Sequence, residues 1–381
     1  MRIGFLVRTL KQDSFGGGIA RYYETLINAL KKEIEVNVFC CDDIENNNRI
    51  FFHRIDGAKG SFWPLSCITT NLAFAKNFYD KSKKIGCDLI EAPLSSLDAY
   101  YIAKEGKIPV MTDVVSPASK QLKGAFSVFG IDSMFLDRTL VFNAEKSLLK
   151  NSAKIIANSK FTLNELIKNY YGRKENCLLV RQSIETSKFK PIKTKEKMFF
   201  KQNKKRLLYV GRIEPKKGLK VLLEALKQLN ESIELSVAGG RLNKELPYHK
   251  KIIESIKENK KHSINFLGFI KEKDLIHAYN EADLIVVPSF SESACYVLLE
   301  GMSCGKPVIA SRVEGMAEIA PLELHFTAGN SDELAEKISF LIDNKILCRA
   351  LGRKSRRRIV KYHSIAKNSR KFLALYKSLV Q

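Results

Sequence analysis

No stretch of this sequence reaches the roughly 20 consecutive apolar residues that a helix needs to cross a bilayer. Nor does the N-terminus carry an h-region or a cleavage site. Met1 to Val7 reads as a first strand rather than a signal peptide. The eight cysteines form no C-x-x-C pair and no Cys/His metal spacing, and Cys40 and Cys41 are adjacent, a poor disulfide geometry. Reduced thiols in a cytosolic compartment are therefore expected. The six histidines, His53, His249, His262, His277, His325 and His363, form no cluster. Surface or packing roles are expected for them, with no metal site, no metal cofactor and no catalytic dyad.

Acidic residues are also scarce, with 41 Asp and Glu against 64 Lys and Arg, for a net charge of +23. The excess is spread over both halves: 28 basic and 20 acidic side chains in 1–190, and 36 and 21 in 191–381. Nucleic acid, an anionic membrane surface and general lysine enrichment each account for such a balance. No nucleic-acid module is visible, so nucleic acid ranks last. The run Arg353-Lys354-x-Arg356-Arg357-Arg358 reads first as a solvated helix face.

Strand-like apolar runs alternate with helical periodicity along the whole chain, which predicts an α/β protein of two Rossmann-like halves. The first half opens with the strand Arg2 to Val7, then a loop ending in Gly16-Gly17-Gly18, then a helix from Ile19 to Leu30. Glycines before a helix let backbone amides approach an anion. The 114–130 segment has no clear pattern, and loops of that length are often functional. The first domain is expected to end near residue 190, followed by a lysine-rich linker over 193–205.

The second half is organised around Pro288 to Ser311. A buried strand, Leu284 to Val287, leads into a loop carrying Glu292. A helix starting at Tyr296 then carries Glu300, and a second strand follows Gly305-Lys306-Pro307. Open α/β sheets bind ligands at this carboxyl end. A loop carboxylate can accept hydrogen bonds from sugar hydroxyls, and one deeper in the helix can hold a diol. Earlier in this half, strand 206–210 runs into G-R-I-E-P-K-K-G-L, which sets Arg212 and Lys217 near a helix start. A guanidinium beside an ammonium suits a diphosphate.

The pair Glu292-x7-Glu300 lies within P-S-x-x-E, L-L-E-G-M and C-G-K-P-V-I-A-S. In that setting it resembles the signature of the retaining GT-B glycosyltransferases of family 4. The resemblance implies a GT-B fold, two Rossmann-like domains facing across a cleft, with the 365–381 helix crossing back to the first. It implies 1–190 as the acceptor domain and 191–364 as the donor domain. It further implies transfer of a sugar from a nucleotide-sugar co-substrate to a lipid-linked or saccharide hydroxyl, without metal, as in envelope polysaccharide, lipopolysaccharide or glycolipid synthesis.

Glu292, Arg212 and Lys217 would be catalytic in that scheme. Gly17, Gly18, Phe269, Ile270, Lys271, Ala294, Cys295, Tyr296, Val297 and Glu300 would line the donor. Three departures stand out. Cys295-Tyr296 replace the family's Phe-Gly, Arg181 to Pro191 only approximates N-G-V-D-x-x-x-F-x-P, and Thr112-Asp113 lacks the histidine of a His-Asp pair. Asp113 is a candidate acceptor-side residue or a turn cap. A nucleotide-sugar epimerase, a polymer synthase and a non-catalytic sugar-nucleotide binder stay open as alternatives. A peripheral contact with anionic membrane would use Lys76, Lys81, Lys83 and Lys84, with Lys120, Lys123, Phe126 and Phe129. Oligomeric state is not legible.

Overall fold

The computed structural model describes residues 1–10, 17–47, 49–57, 66–115, 131–169, 174–193, 198–200, 204–292 and 295–380, without the side chains of 66 and 131–137. The chain divides into two compact units. Unit 1 is Met1–Gln182 with Ile365–Gln381, and unit 2 is Ser183–Ser364. The division falls before residue 190, where the sequence suggested it. The reason is local: Ile184 N donates to His363 O at 2.8 Å, and Phe189 O accepts from the hydroxyl of Ser303 at 2.5 Å, so residues 183–190 are bonded into unit 2. The expected linker also binds unit 2 where it is described. Met198 N and Phe199 N donate to the Glu281 carboxylate at 3.0 and 2.9 Å, and Phe200 is fully buried.

Unit 1 holds a seven-stranded, wholly parallel sheet. Its strands are β1 (Arg2–Leu6), β2 (Glu35–Cys40), β3 (Ile50–Arg54), β4 (Leu89–Pro93), β5 (Val110–Val114), β6 (Lys154–Ala157) and β7 (Cys177–Leu179). Their order is β3-β2-β1-β4-β5-β6-β7, so the winding reverses between β1 and β4. The central strands β4 and β5 are buried at every position, as expected of strands covered on both faces. The helix Gly17–Leu30 buries Tyr22, Tyr23, Leu26, Ile27 and Leu30, one face at helical spacing. The C-terminal helix Ile365–Val380 packs within this unit, with Tyr376 meeting Phe5 of β1 edge to face at 6.5 Å between ring centroids.

Unit 2 holds six parallel strands: β8 (Lys205–Val210), β9 (Ile233–Ala238), β10 (Ser263–Gly268), β11 (Leu284–Val287), β12 (Val308–Ser311) and β13 (His325–Phe326). The order β10-β9-β8-β11-β12-β13 reverses between β8 and β11. The two-residue β13 carries too little pattern to read from sequence. Helix Leu219–Lys227 covers the sheet with Leu219, Leu222, Leu223 and Leu226, all fully buried at i, i+3, i+4 and i+7. Helix Ser331–Asp343 starts where it does because the Asn330 side chain accepts from the amides of Asp332 and Glu333.

Candidate active site

In unit 2 the site residues follow the two strands that flank the reversal point. Behind β8, Val210 gives way to a loop and a single 3-10 turn, Pro215–Lys217. Tyr209, buried at the end of β8, donates its hydroxyl to Arg212 O at 3.1 Å and also reaches Lys217 O at 3.4 Å. That one phenol fixes the backbone of both cationic residues. Gly218 then starts the next helix with φ +70°, and a Cβ there would lie 1.9 Å from Pro288 O. Only glycine lets the β8 loop approach the β11 loop this closely. Phe290 N donates to Lys216 O at 2.9 Å and closes the contact from the other side.

The side chains meet across that contact. Lys217 Nζ is bonded to Glu292 Oε1, and both side chains are mostly buried. Burial works against the Lys217 charge, but the Glu292 carboxylate outweighs it and holds the ammonium above its ordinary value. Ser289 donates its hydroxyl to the same Glu292 oxygen at 3.2 Å. Arg212 behaves differently: its side chain is 69% exposed and pairs with Glu214 at 2.8 Å. Two cations thus stand at the carboxyl end of β8, each resting on a carboxylate.

Glu300 lies in the second turn of the helix Tyr296–Ser303 and is 2% exposed, and its Oε2 accepts the Tyr279 hydroxyl at 2.7 Å. Cys295 and Tyr296, at the start of that helix, are buried, whereas Val297 is half-buried. Burial and the nearby Glu292 charge push the Cys295 thiol up to about 12, so it stays protonated and is no nucleophile at neutral pH. Ala294 lies outside the described residues. Phe269 follows β10 and is 61% exposed, with Ile270 half-buried and Lys271 capping the helix Glu272–Glu281. Two further contributors had no signal of their own in the sequence, Tyr279 behind Glu300 and Ser311 behind Ser289. Glu314 follows the second strand of the motif, where the family's counterparts lie near the nucleotide, but its charge reads first as ordinary surface. Ser289 could have been found from its place three residues before Glu292.

In unit 1, Gly17 and Gly18 open the helix that follows β1, both exposed, with Gly17 at φ +48°. Asp113 is neither a turn cap nor open to solvent. It is buried inside β5, and its two oxygens accept from Tyr22 at 3.2 Å and Tyr23 at 2.7 Å. Glu91 of β4 is buried beside it and takes the Tyr376 hydroxyl on Oε2. Burial first, and then the Asp113 charge, drive the Glu91 carboxyl well above its ordinary value. Glu91 Oε1 has no donor partner, which suits a carboxyl pushed toward its protonated form.

The histidines serve packing where they are buried. His249 accepts from Asn243 N on Nδ1 at 2.8 Å and bonds Ile213 O through Nε2 at 2.8 Å, and His325 lies between Ala310 O and Ala320 O. Among the described residues no group of three or more His, Cys, Asp or Glu could hold a metal, the eight cysteines are free, and no helix is long and apolar enough to cross a membrane. Lys76 is paired with Asp80, and Lys83 lies 3.6 Å from Glu105, while Lys81 and Lys84 are exposed on the same helix. Lys120, Lys123, Phe126 and Phe129 lie outside the described residues.

Comparison with known proteins matches each unit separately. Residues 16–187 match the family described as Glycosyltransferase Family 4, and 192–358 match Glycosyl transferases group 1. An uncharacterized glycosyltransferase of Methanocaldococcus jannaschii is 27% identical over 342 residues, 88% of each chain. The N,N'-diacetylbacillosaminyl-diphospho-undecaprenol alpha-1,3-N-acetylgalactosaminyltransferase of Campylobacter jejuni is 25% identical over 100% of both chains. Among solved structures, sucrose-phosphate synthase of Thermosynechococcus elongatus superposes with a TM-score of 0.85 at 21% identity, covering 100% of this chain and 99% of the other. Anabaena HepE in complex with UDP-glucose does so with a TM-score of 0.75 at 18% identity, covering 99% and 100%. The two parallel sheets are thus those of the GT-B fold, and the chain belongs to the group 1, family 4 glycosyltransferases.

Proposed function

We propose that unit 2 binds a nucleotide sugar through its diphosphate and that the enzyme passes the sugar, with retention at the anomeric carbon, to the hydroxyl of a saccharide or lipid-linked acceptor. The observation that carries this reading is the bond between Lys217 and Glu292, made at the strand ends where the winding reverses. Arg212 and Lys217 supply positive charge where the leaving diphosphate becomes negative, so no metal is required for that step. Glu292 positions the sugar and stabilises an oxocarbenium-like state. Glu300 takes the ribose diol, and the residues after β10, Phe269 to Lys271, take the base. The acceptor hydroxyl attacks on the face the diphosphate leaves, and a phosphate oxygen takes its proton. HepE is described with UDP-glucose, and the Campylobacter relative is named for a diphospho-undecaprenol acceptor, which supports both substrate classes.

The reading is tested by incubating the enzyme with a panel of nucleotide sugars and following release of nucleoside diphosphate, with and without EDTA. Turnover that survives EDTA is expected with at least one donor; strict metal dependence would remove the proposed role of the two cations. The enzyme works on the cytoplasmic side, in peripheral contact with anionic lipid through Lys81 and Lys84. Salt-sensitive pelleting with anionic, but not zwitterionic, vesicles is the expected result.

A further inference from the structure

Only two non-glycine residues among those described have a positive φ, Leu97 at +58° and Glu314 at +37°. An L-residue is strained in this region, so something must hold it there. Leu97 is fully buried, and core packing holds it. Glu314 is only half-buried, and apolar burial cannot do the same for it. Its side chain instead accepts the Ser291 hydroxyl on Oε2 at 2.9 Å. Ser291 is the residue before Glu292.

The neighbouring residues repeat the pattern. Val313 N donates to Ser311 O at 3.0 Å, and the buried Ser311 hydroxyl donates to Ser289 O. Ser289 in turn donates to Glu292 Oε1. The end of β12 and the segment after it therefore grip the loop after β11 at two alternate residues, 289 and 291, next to the carboxylate of 292.

We infer that Glu314 is a positioning residue: it accepts backbone strain in order to hold Ser291, and through it sets the Glu292 carboxylate against Lys217. This rests on the reading of Glu292 as a residue of the transfer site. A glycine at 314 would suit the local backbone better and would lose the brace, so fold stability and function make opposite demands at this position.

Three variants separate them. Glu314→Gly relieves the strain and removes the acceptor, Ser291→Ala removes the donor without touching the strained residue, and Glu314→Gln keeps an acceptor oxygen for Ser291. Expected results are a melting temperature for Glu314→Gly equal to or above wild type, with kcat for donor turnover lowered about tenfold and donor KM within about twofold. Ser291→Ala should lower kcat in the same way, and Glu314→Gln should restore it to near wild type. A crystal structure of Glu314→Gly should show the Lys217–Glu292 pair displaced. Wild-type kcat in both Glu314→Gly and Ser291→Ala, or an undisplaced pair in the crystal, would overturn the inference. Wild-type enzyme that turns over no nucleotide sugar would instead sink the functional reading, and the crystal structure would still decide the positioning role.

Discussion

Glu292 and Glu300 are set up for different work. Glu292 sits in a loop on a lysine and a serine, whereas Glu300 is buried in a helix against a tyrosine. Substituting Glu292→Gln should mainly lower kcat, and Glu300→Gln should mainly raise the donor KM, by about tenfold where a hydrogen bond to a charged carboxylate is lost. Steady-state kinetics on both variants would show it, and the reverse order would exchange their roles. Lys217→Ala should cost about 10²-fold in kcat, as for loss of one group facing developing charge. It also leaves the mostly buried Glu292 without its cation. Arg212→Ala should act more weakly, since that side chain is largely exposed. Gly218→Ala tests the loop contact itself. Its Cβ has no room before Pro288 O, so a loss of about 1–3 kcal/mol in urea denaturation is expected along with lower activity.

At the scale of elements, most of the fold was legible because central parallel strands such as Leu284–Val287 are unbroken apolar runs and the helices repeat at i, i+3, i+4. Strand edges were less so. The edge strand β3, Ile50–Arg54, is partly exposed and carries a weaker pattern. The placing of Arg212 and Lys217 after β8, and of Glu292 and Glu300 after β11, was legible because each pair sits in one short motif. It was not legible where a partner comes from a distant element, as Tyr376 does for Glu91 or Glu314 for Ser291. Asp113 shows the same limit: sequence placed it at a strand end, and two tyrosines from another element decide its environment.

That cluster makes unit 1 sensitive to pH. Around Glu91 and Asp113 stand Tyr22 and Tyr23 from the Gly17–Leu30 helix and Tyr376 from the last helix, all hydroxyl donors. The folded Glu91 holds its proton above its ordinary value of 4.5, so between the unfolded and folded values the native state binds more protons. Its contribution is complete below that ordinary value and is lost as pH rises through the folded one. Glu91→Gln, neutral at every pH and still able to accept from Tyr376, should flatten the fall in melting temperature with rising pH. An unchanged slope would show that Glu91 is not the titrating group.

At the scale of the whole molecule, the proposed donor-side residues Arg212, Lys217, Glu292 and Glu300 all lie in the continuous segment 183–364, whose two ends are joined by the Ile184–Ser364 bridge and the Ile184 N to His363 O bond. Residues 183–364 expressed alone should fold and bind a nucleoside diphosphate, with calorimetry against a panel of them as the check, whereas removing 365–381 should destabilise unit 1 and leave that binding intact. Unit 1 is discontinuous in the chain, and this sets an order of events on the ribosome. Tyr376 is made 285 residues after Glu91, the carboxyl group it must reach. At about 5–20 residues per second that is a wait of roughly 15–60 s. During it the nascent first unit carries a buried acid without its donor and a helix-wide stretch of uncovered apolar surface. The second unit can close as soon as its own residues emerge, so the half that begins synthesis first is the half that finishes folding last.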